Sequence, residues 1–246
     1  MDKINTLFPE FYSSSKEEGK GNSSRDKDKE LRELQKMKNF GVEYCETAMK
    51  CGKYGMPLVK PYYGNLPKHY VSISSPNCLN PQNTCITGFD YDYILEGVWR
   101  NPRKYADLIT SYQCFGSIDF SMRVDNPLCV QIANAYRSNC LSFFYQEMGG
   151  NLFPAPHWSS STSYDFCFDG FSKGGAVLVS TIGTHRDERS RLYFKDGFFE
   201  MLKRLDPDVV VMYGVGNRDK YPWLPASLEV VFVLPERFER ARRNGR

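Results

Sequence analysis

Beyond residue 100 the apolar positions alternate between two rhythms, one helical and one extended. Cys129, Ile132, Ala133, Tyr136, Cys140 and Phe143 recur at helical spacing behind Asp125-Asn126-Pro127 and stop at Gly149-Gly150, which predicts a helix between those signals. Asn101-Pro102 predicts a second helix that runs to about Tyr112, with Pro at its first position. Residues 187–205 predict a third, which must end before Asp206-Pro207 because Pro disfavours helical backbone in the residue ahead of it. Between these lie runs of strand character. Residues 115–121 read as a strand, and residues 152–158 as an extended segment interrupted by Pro154 and Pro156. Residues 176–182, 209–213 and 229–234 are apolar and rich in β-branched side chains, as buried strands are. Strands and helices in alternation, with strands apolar throughout, predict an α/β fold: a mostly parallel sheet with flanking helices. A barrel-like (TIM-like) arrangement, closed or incomplete, is favoured over an open doubly wound sheet.

The first hundred residues are patterned differently. Residues 13–28 are polar and rich in Ser and Gly, which predicts a solvated tail. Leu31, Leu34 and Met37 then suggest a short amphipathic helix to about Lys38. Pro57, Pro61, Pro67, Pro76 and Pro81 argue against long regular elements in residues 52–88. The expected organisation is a charged tail with a short helix (1–38), one α/β domain (39–235) with an irregular Pro-rich lead-in (39–88), and an Arg-rich end (236–246).

Charge sharpens this picture. The 246 residues carry a net charge of +3, and residues 39–235 sum to −1, so the positive excess lies in the ends. A body that held a duplex by its phosphates would carry a surplus of Lys and Arg. Nucleic-acid affinity is therefore expected to be weak and confined to Arg237, Arg240, Arg242, Arg243 and Arg246. With 41% hydrophobic and 25% charged residues the chain is not disordered overall. No stretch approaches the roughly 20 apolar residues of a membrane span, and residues 1–12 lack the pattern of a signal peptide. A cytoplasmic protein of a bacterial cell, with no membrane partner, is the expectation. The eight Cys should then stay reduced.

In parallel sheets and barrels ligands sit beyond the carboxyl ends of the strands, which selects the candidate chemistry. Asp119, between Ile118 and Phe120, is a candidate general base or nucleophile, against the alternative of a helix cap or a partner for Arg123. His157, one of three His, is its candidate partner, and Trp158 offers a flat wall that could stack a base or sugar. Ser121, Thr181 and Tyr213 complete the expected substrate-binding set. Thr184, Arg186 and Arg189, at the start of the third helix, form a candidate phosphate cradle, although Asp187 and Glu188 offset its charge. Asp165 and Asp169, four residues apart, are a weaker candidate for a divalent metal, and no cofactor is expected. Cys45, Cys51, Cys78 and Cys85 are spaced too widely for an ordinary zinc site. Cys114, Cys129, Cys140 and Cys167 read as core filler. Gly214-Val215-Gly216 lacks the third Gly of a dinucleotide loop.

The ordered strings GFDYDYILEGVWRNPRKY, FGSIDFSM, NPLCVQIANAYR, FPAPHWSSSTSYDFCFDG and KGGAVLVSTIG resemble one family, the uncharacterised domain of unknown function 4417 of phages, mobile elements and their bacterial hosts. The resemblance covers about residues 62–235. It marks Asp119, Ser121, Pro127, Gln131, Arg137, Trp158, Asp169 and Gly170 as positions that match the family pattern. It implies a role in a phage or element's dealings with its host or its own replication, and brings no activity with it. Three functions stay open. One is an enzyme of hydrolysis or group transfer on a nucleotide or nucleoside, and another a non-catalytic phage protein that captures a host protein or signalling nucleotide. The third is a nucleic-acid-binding replication accessory.

Overall fold

The computed structural model describes residues 41–235. The expected tail and short helix of residues 1–38, and the Arg-rich end, lie outside the described residues.

Nine strands and four α-helices follow one another in these residues. β1 (Lys50–Cys51) and β2 (Met56–Pro57) make a small antiparallel hairpin. β3 (His69–Ser72), β4 (Thr84–Gly88), β5 (Cys114–Ile118) and β6 (Leu152–Phe153) form a parallel sheet in sequence order. β7 (Ala176–Ser180), β8 (Val209–Tyr213) and β9 (Glu229–Val233) form a second parallel sheet, again in order. Leu178 N–H donates to Pro154 O at 2.8 Å, so the chain just beyond β6 touches β7. Helices α1 (Asp92–Arg100) and α2 (Arg103–Thr110) connect β4 to β5. Helix α3 (Leu128–Glu147) connects β5 to β6, and α4 (Glu188–Leu205) connects β7 to β8. The α/β architecture with parallel sheets and flanking helices is thus present. No ladder joins β9 to β3 among the described residues, so the sheets do not close into a barrel.

Strand periodicity sorts the side chains into two cores. Ile86, Phe115, Ile118, Val177, Val179, Val210 and Met212 pack with residues of all four helices. Tyr70, Cys85, Cys114, Phe153, Leu178, Val211 and Tyr213 form a separate cluster on the other face, to which no helix among the described residues contributes. That second cluster draws on strands of both sheets, and the Tyr70 and Tyr213 rings meet across it with centroids 6.2 Å apart.

The Pro-rich lead-in is more ordered than its composition suggests. Pro76 and Pro81 lie in the turn between β3 and β4 rather than inside either strand, so they bracket the strands instead of breaking them. Helix α1 buries Leu95, Val98 and Trp99, a spacing of three and four residues that was open to reading but masked by the surrounding Tyr and Asp.

Candidate functional site

A single irregularity in β5 sets the geometry of the site. In the β4–β5 ladder Ile86 pairs with Phe115 but Gly88 pairs with Ile118, so β5 carries one extra residue. Such a bulge re-aims the side chains beyond it. Ile118 and Phe120 consequently join Phe115 in the helix-side core, and Asp119, between them, turns to the opposite face. The bulge brings β5 backbone so close to Gly88 that a Cβ there would lie 2.6 Å from both Ile118 Cα and Ser117 O. Asp119 N–H donates to Gly88 O at 3.2 Å, which ties the end of β5 to the end of β4.

The extended chain after β6 supplies the partner. Ser117 Oγ accepts from Ala155 N–H at 3.1 Å and holds residues 154–157 beside the end of β5. Phe153 and Ala155 face the strand-lined cluster. His157 follows them by two-residue alternation and reaches Asp119, with Nδ1 3.3 Å from Asp119 Oδ1. The pair is mostly buried, with the Asp119 side chain 24% exposed and that of His157 17%. Burial raises the Asp119 pKa above the ordinary carboxylate range; the positive side of His157 opposes this and the nearby Asp92 reinforces it.

The neighbours of Nδ1 also decide the imidazole's proton. Nδ1 lies between the Asp119 carboxylate and, at 3.4 Å, the Ala155 carbonyl. Both are acceptors, so the neutral ring carries its proton on Nδ1 and leaves a lone pair on Nε2. Nε2 is buried and has no hydrogen-bond partner among the described residues. Around this pair, Asp92 Oδ1 accepts from Ser121 N–H at 2.9 Å, which fixes the loop after Asp119. Asp90 accepts from the Ser72 hydroxyl, from Ser74 N–H at 3.3 Å and from Tyr91 N–H at 2.9 Å. Burial works against its charged form, but these hydrogen bonds together hold its pKa below the ordinary value.

The other expected residues divide. Ser121 sits beside Asp119 through its backbone, and its carbonyl accepts from Asn134 Nδ2 at 2.8 Å. Tyr213 lies in the strand-lined cluster, against Phe89 and Tyr70. Trp158 does not share the face of His157. It is one residue further along an extended chain, so its ring turns to the helices, stacks on Phe194 and donates from Nε1 to Tyr193 O at 3.1 Å. Thr181 is likewise out of phase with the strand-lined face; its Oγ1 donates to Tyr213 O at 3.3 Å. Ser180 occupies the parity expected of Thr181.

The candidate phosphate cradle is already filled. Asp187 caps α4 by accepting from Ser190 N–H at 2.7 Å, which places a carboxylate where an anion would bind. Thr184 Oγ1 donates to Thr181 O at 2.9 Å, Arg186 is exposed beside Gly183, and Arg189 Nε donates to the Tyr193 hydroxyl at 2.8 Å.

Asp169 stands near Asp165 and Arg204, and among the described residues no group of three or more His, Cys, Asp or Glu side chains could hold a metal ion. Cys129, read from sequence as core filler, is exposed on α3 because it falls on the solvent side of the helix.

Two positions of the family pattern prove to brace this arrangement. Gln131 is buried; its Oε1 accepts from Ser159 Oγ at 2.5 Å and its Nε2 donates to Asn126 O at 2.9 Å. Arg137 lies 3.8 Å from the centre of the Phe120 ring and 2.5 Å from Glu96. Both residues support the strand ends from α3. Gln131 could not be placed in this role from sequence, because nothing local marks its partner at Ser159.

The model of a family described as "Domain of unknown function (DUF4417)" matches residues 48–223. The chain is 28% identical over 152 residues to the Gene 1 protein of Mycobacterium phage D29, covering 61% of this chain and 53% of that protein. It is 29% identical over 123 residues to the Gene 1 protein of Mycobacterium phage L5, covering 50% of this chain and 54% of that protein. The chain thus spans about half the length of these curated relatives. No solved structure matches.

Proposed function

The chain belongs to the DUF4417 family, whose relatives here are phage proteins, and on that premise we propose that it is an enzyme of hydrolysis or group transfer. The observation that carries this reading is the contact of Asp119 with His157 at the carboxyl ends of two parallel strands. Asp119 holds the imidazole by Nδ1, and Nε2, buried in the resting structure, is the base that takes a proton from water or from a substrate hydroxyl once local opening admits it. The imidazolium so formed is stabilised by the carboxylate beside it. It then returns the proton to the leaving group.

The charge around the pair selects the substrate. Asp92 stands near Asp119, while Arg137 is engaged by Glu96. This surface disfavours a phosphate and favours a neutral, nucleoside-type substrate over a nucleotide. The strands of both sheets run in sequence order around one shared apolar cluster, which supports a barrel-like curl with its mouth at the dyad.

The test is turnover by the full-length protein on a panel of nucleosides and nucleotides, with products identified by mass spectrometry. The expected result is conversion of a nucleoside by the wild type and none by His157→Gln. Failure of the wild type on the whole panel would favour the second reading, a non-catalytic phage protein that captures a host factor. Its support is the exposed stack of Tyr91 on Tyr93, with centroids 5.7 Å apart, next to Asp90.

A further inference from the structure

Two pairs of cysteines are buried in this protein, and only one is surrounded by groups that activate sulfur. Cys45 follows a short 3-10 turn, Val42–Tyr44, and is fully buried. Lys50, in β1, donates from Nζ to Cys45 O at 2.6 Å and to Cys45 Sγ at 3.3 Å. The Tyr136 hydroxyl, on α3, is 3.3 Å from the same sulfur. One helical turn further along α3 stands Cys140, also fully buried and near enough to Cys45 for the two thiols to interact. Cys140 Sγ lies 2.9 Å from Gly41 O, the carbonyl that Cys45 Sγ reaches at 3.8 Å. An ammonium, a phenol and a second thiol thus converge on one sulfur from three elements.

The other pair is a contrast built into the same fold. Cys85 and Cys114 are register partners on β4 and β5 and are fully buried. They sit in the strand-lined cluster with Tyr62 and Tyr70. Burial pushes the Cys85 thiol well up, so it stays protonated and inert. Cys45 goes the other way, down to about 6, through the hydrogen bond from Cys140, against the opposing effect of burial, and with help from Tyr136 and Lys50. Cys140 is raised, so the surroundings favour loss of the proton from Cys45 rather than from Cys140.

We propose that Cys45 and Cys140 form a peroxide-responsive dithiol that closes to a disulfide and fastens the segment around Cys45 to α3. The Cys45 thiolate attacks one oxygen of hydrogen peroxide, the O–O bond breaks, and hydroxide leaves and is protonated to water. Cys45 is then a sulfenic acid. Cys140 sulfur attacks the Cys45 sulfur, the S–O bond breaks, and the departing hydroxide takes the Cys140 proton as a second water. Two electrons pass from the two sulfurs to peroxide, and the sum is two thiols and one peroxide giving one disulfide and two waters. Peroxide reaches the sulfur through local opening of the turn, whose flanking Val42 and Met49 are exposed.

The test uses the full-length protein, reduced, freed of reductant and treated with one equivalent of hydrogen peroxide, then denatured in an alkylating agent. Peptide mapping should show a Cys45–Cys140 crosslink, with six of the eight cysteines alkylated and full reversal by dithiothreitol. The melting temperature should rise by roughly 5 °C or more. In Cys140→Ser the oxidation should stop at a Cys45 sulfenic acid, trapped by a 1,3-dione. Cys85→Ser should leave the response unchanged. The wild-type map alone decides the matter if a variant fails to fold. A first crosslink at Cys85–Cys114, a covalent Lys50–Cys45 bridge in its place, or eight free thiols after peroxide treatment would each overturn the proposal.

Discussion

Replacing Gly88 with Ala tests whether the β5 bulge aims Asp119. The added Cβ would meet Ile118 Cα and Ser117 O at 2.6 Å and Ile118 N at 3.1 Å. All three are backbone atoms, so no rotamer change relieves them and the two strands must part locally. Overpacking of this kind costs about 1–3 kcal/mol, and loss of the Asp119 N–H to Gly88 O hydrogen bond adds about 1 kcal/mol. The expected total is about 2–4 kcal/mol. Gly116→Ala on the same strand is the control. Its Cβ would meet only the tip of Leu178 at 3.2 Å, with the Thr87 backbone at 3.6 Å, so its cost should stay below about 1 kcal/mol. Urea unfolding reads both, as a shift in midpoint at constant slope. Turnover should fall with Gly88→Ala and survive Gly116→Ala. Equal stability of the two variants, or full activity in Gly88→Ala, would refute the role given to the bulge.

Ser159→Ala should destabilise the protein by about 1–3 kcal/mol in the same assay, because it leaves the buried Gln131 Oε1 without its donor. Asp119 should make stability depend on pH in a defined direction. Its folded pKa lies above its unfolded value, so the native state holds the proton longer and stability falls as pH rises from the ordinary carboxylate range through the raised pKa. Asp119→Asn should lose that slope in pH-dependent unfolding. Nucleic-acid binding, measured by salt titration, should weaken with a log–log slope of roughly −3 to −4 and vanish when residues 236–246 are removed.

Much of the fold follows from periodicity. Helices α2, α3 and α4 and strands β5, β7 and β8 lie where apolar spacing and Pro or Gly signals put them, since buried elements leave an unbroken pattern. β9 lies where expected but is half-exposed at the sheet edge, not the buried strand its apolar run predicts. β3 and β4 are short and flanked by Pro, and α1 hides its three buried residues among Tyr and Asp. The site was legible to a lesser degree. That Asp119 and His157 belong to neighbouring strand ends follows from strand order, but the bulge that turns Asp119 toward His157 depends on inter-strand register, which has no local signature. Trp158 illustrates the reverse case. Two-residue alternation along residues 152–158 already sets it on the face opposite His157, and adjacency in sequence is a poor guide to adjacency across a strand. The charge pattern at residues 184–189 suggested an anion site, but Asp187 spends that helix end on its own cap.

The most direct test of the Asp119–His157 dyad is one substitution read two ways on the same sample. Asp119→Asn keeps the shape of the side chain and an acceptor for His157 Nδ1–H, and removes the charge that stabilises an imidazolium. The account predicts that unfolding free energy near neutral pH changes by no more than about 1 kcal/mol while nucleoside turnover is lost. A loss of about 3–5 kcal/mol, the cost of breaking a buried structural ion pair, with turnover retained in the molecules that stay folded, would contradict it.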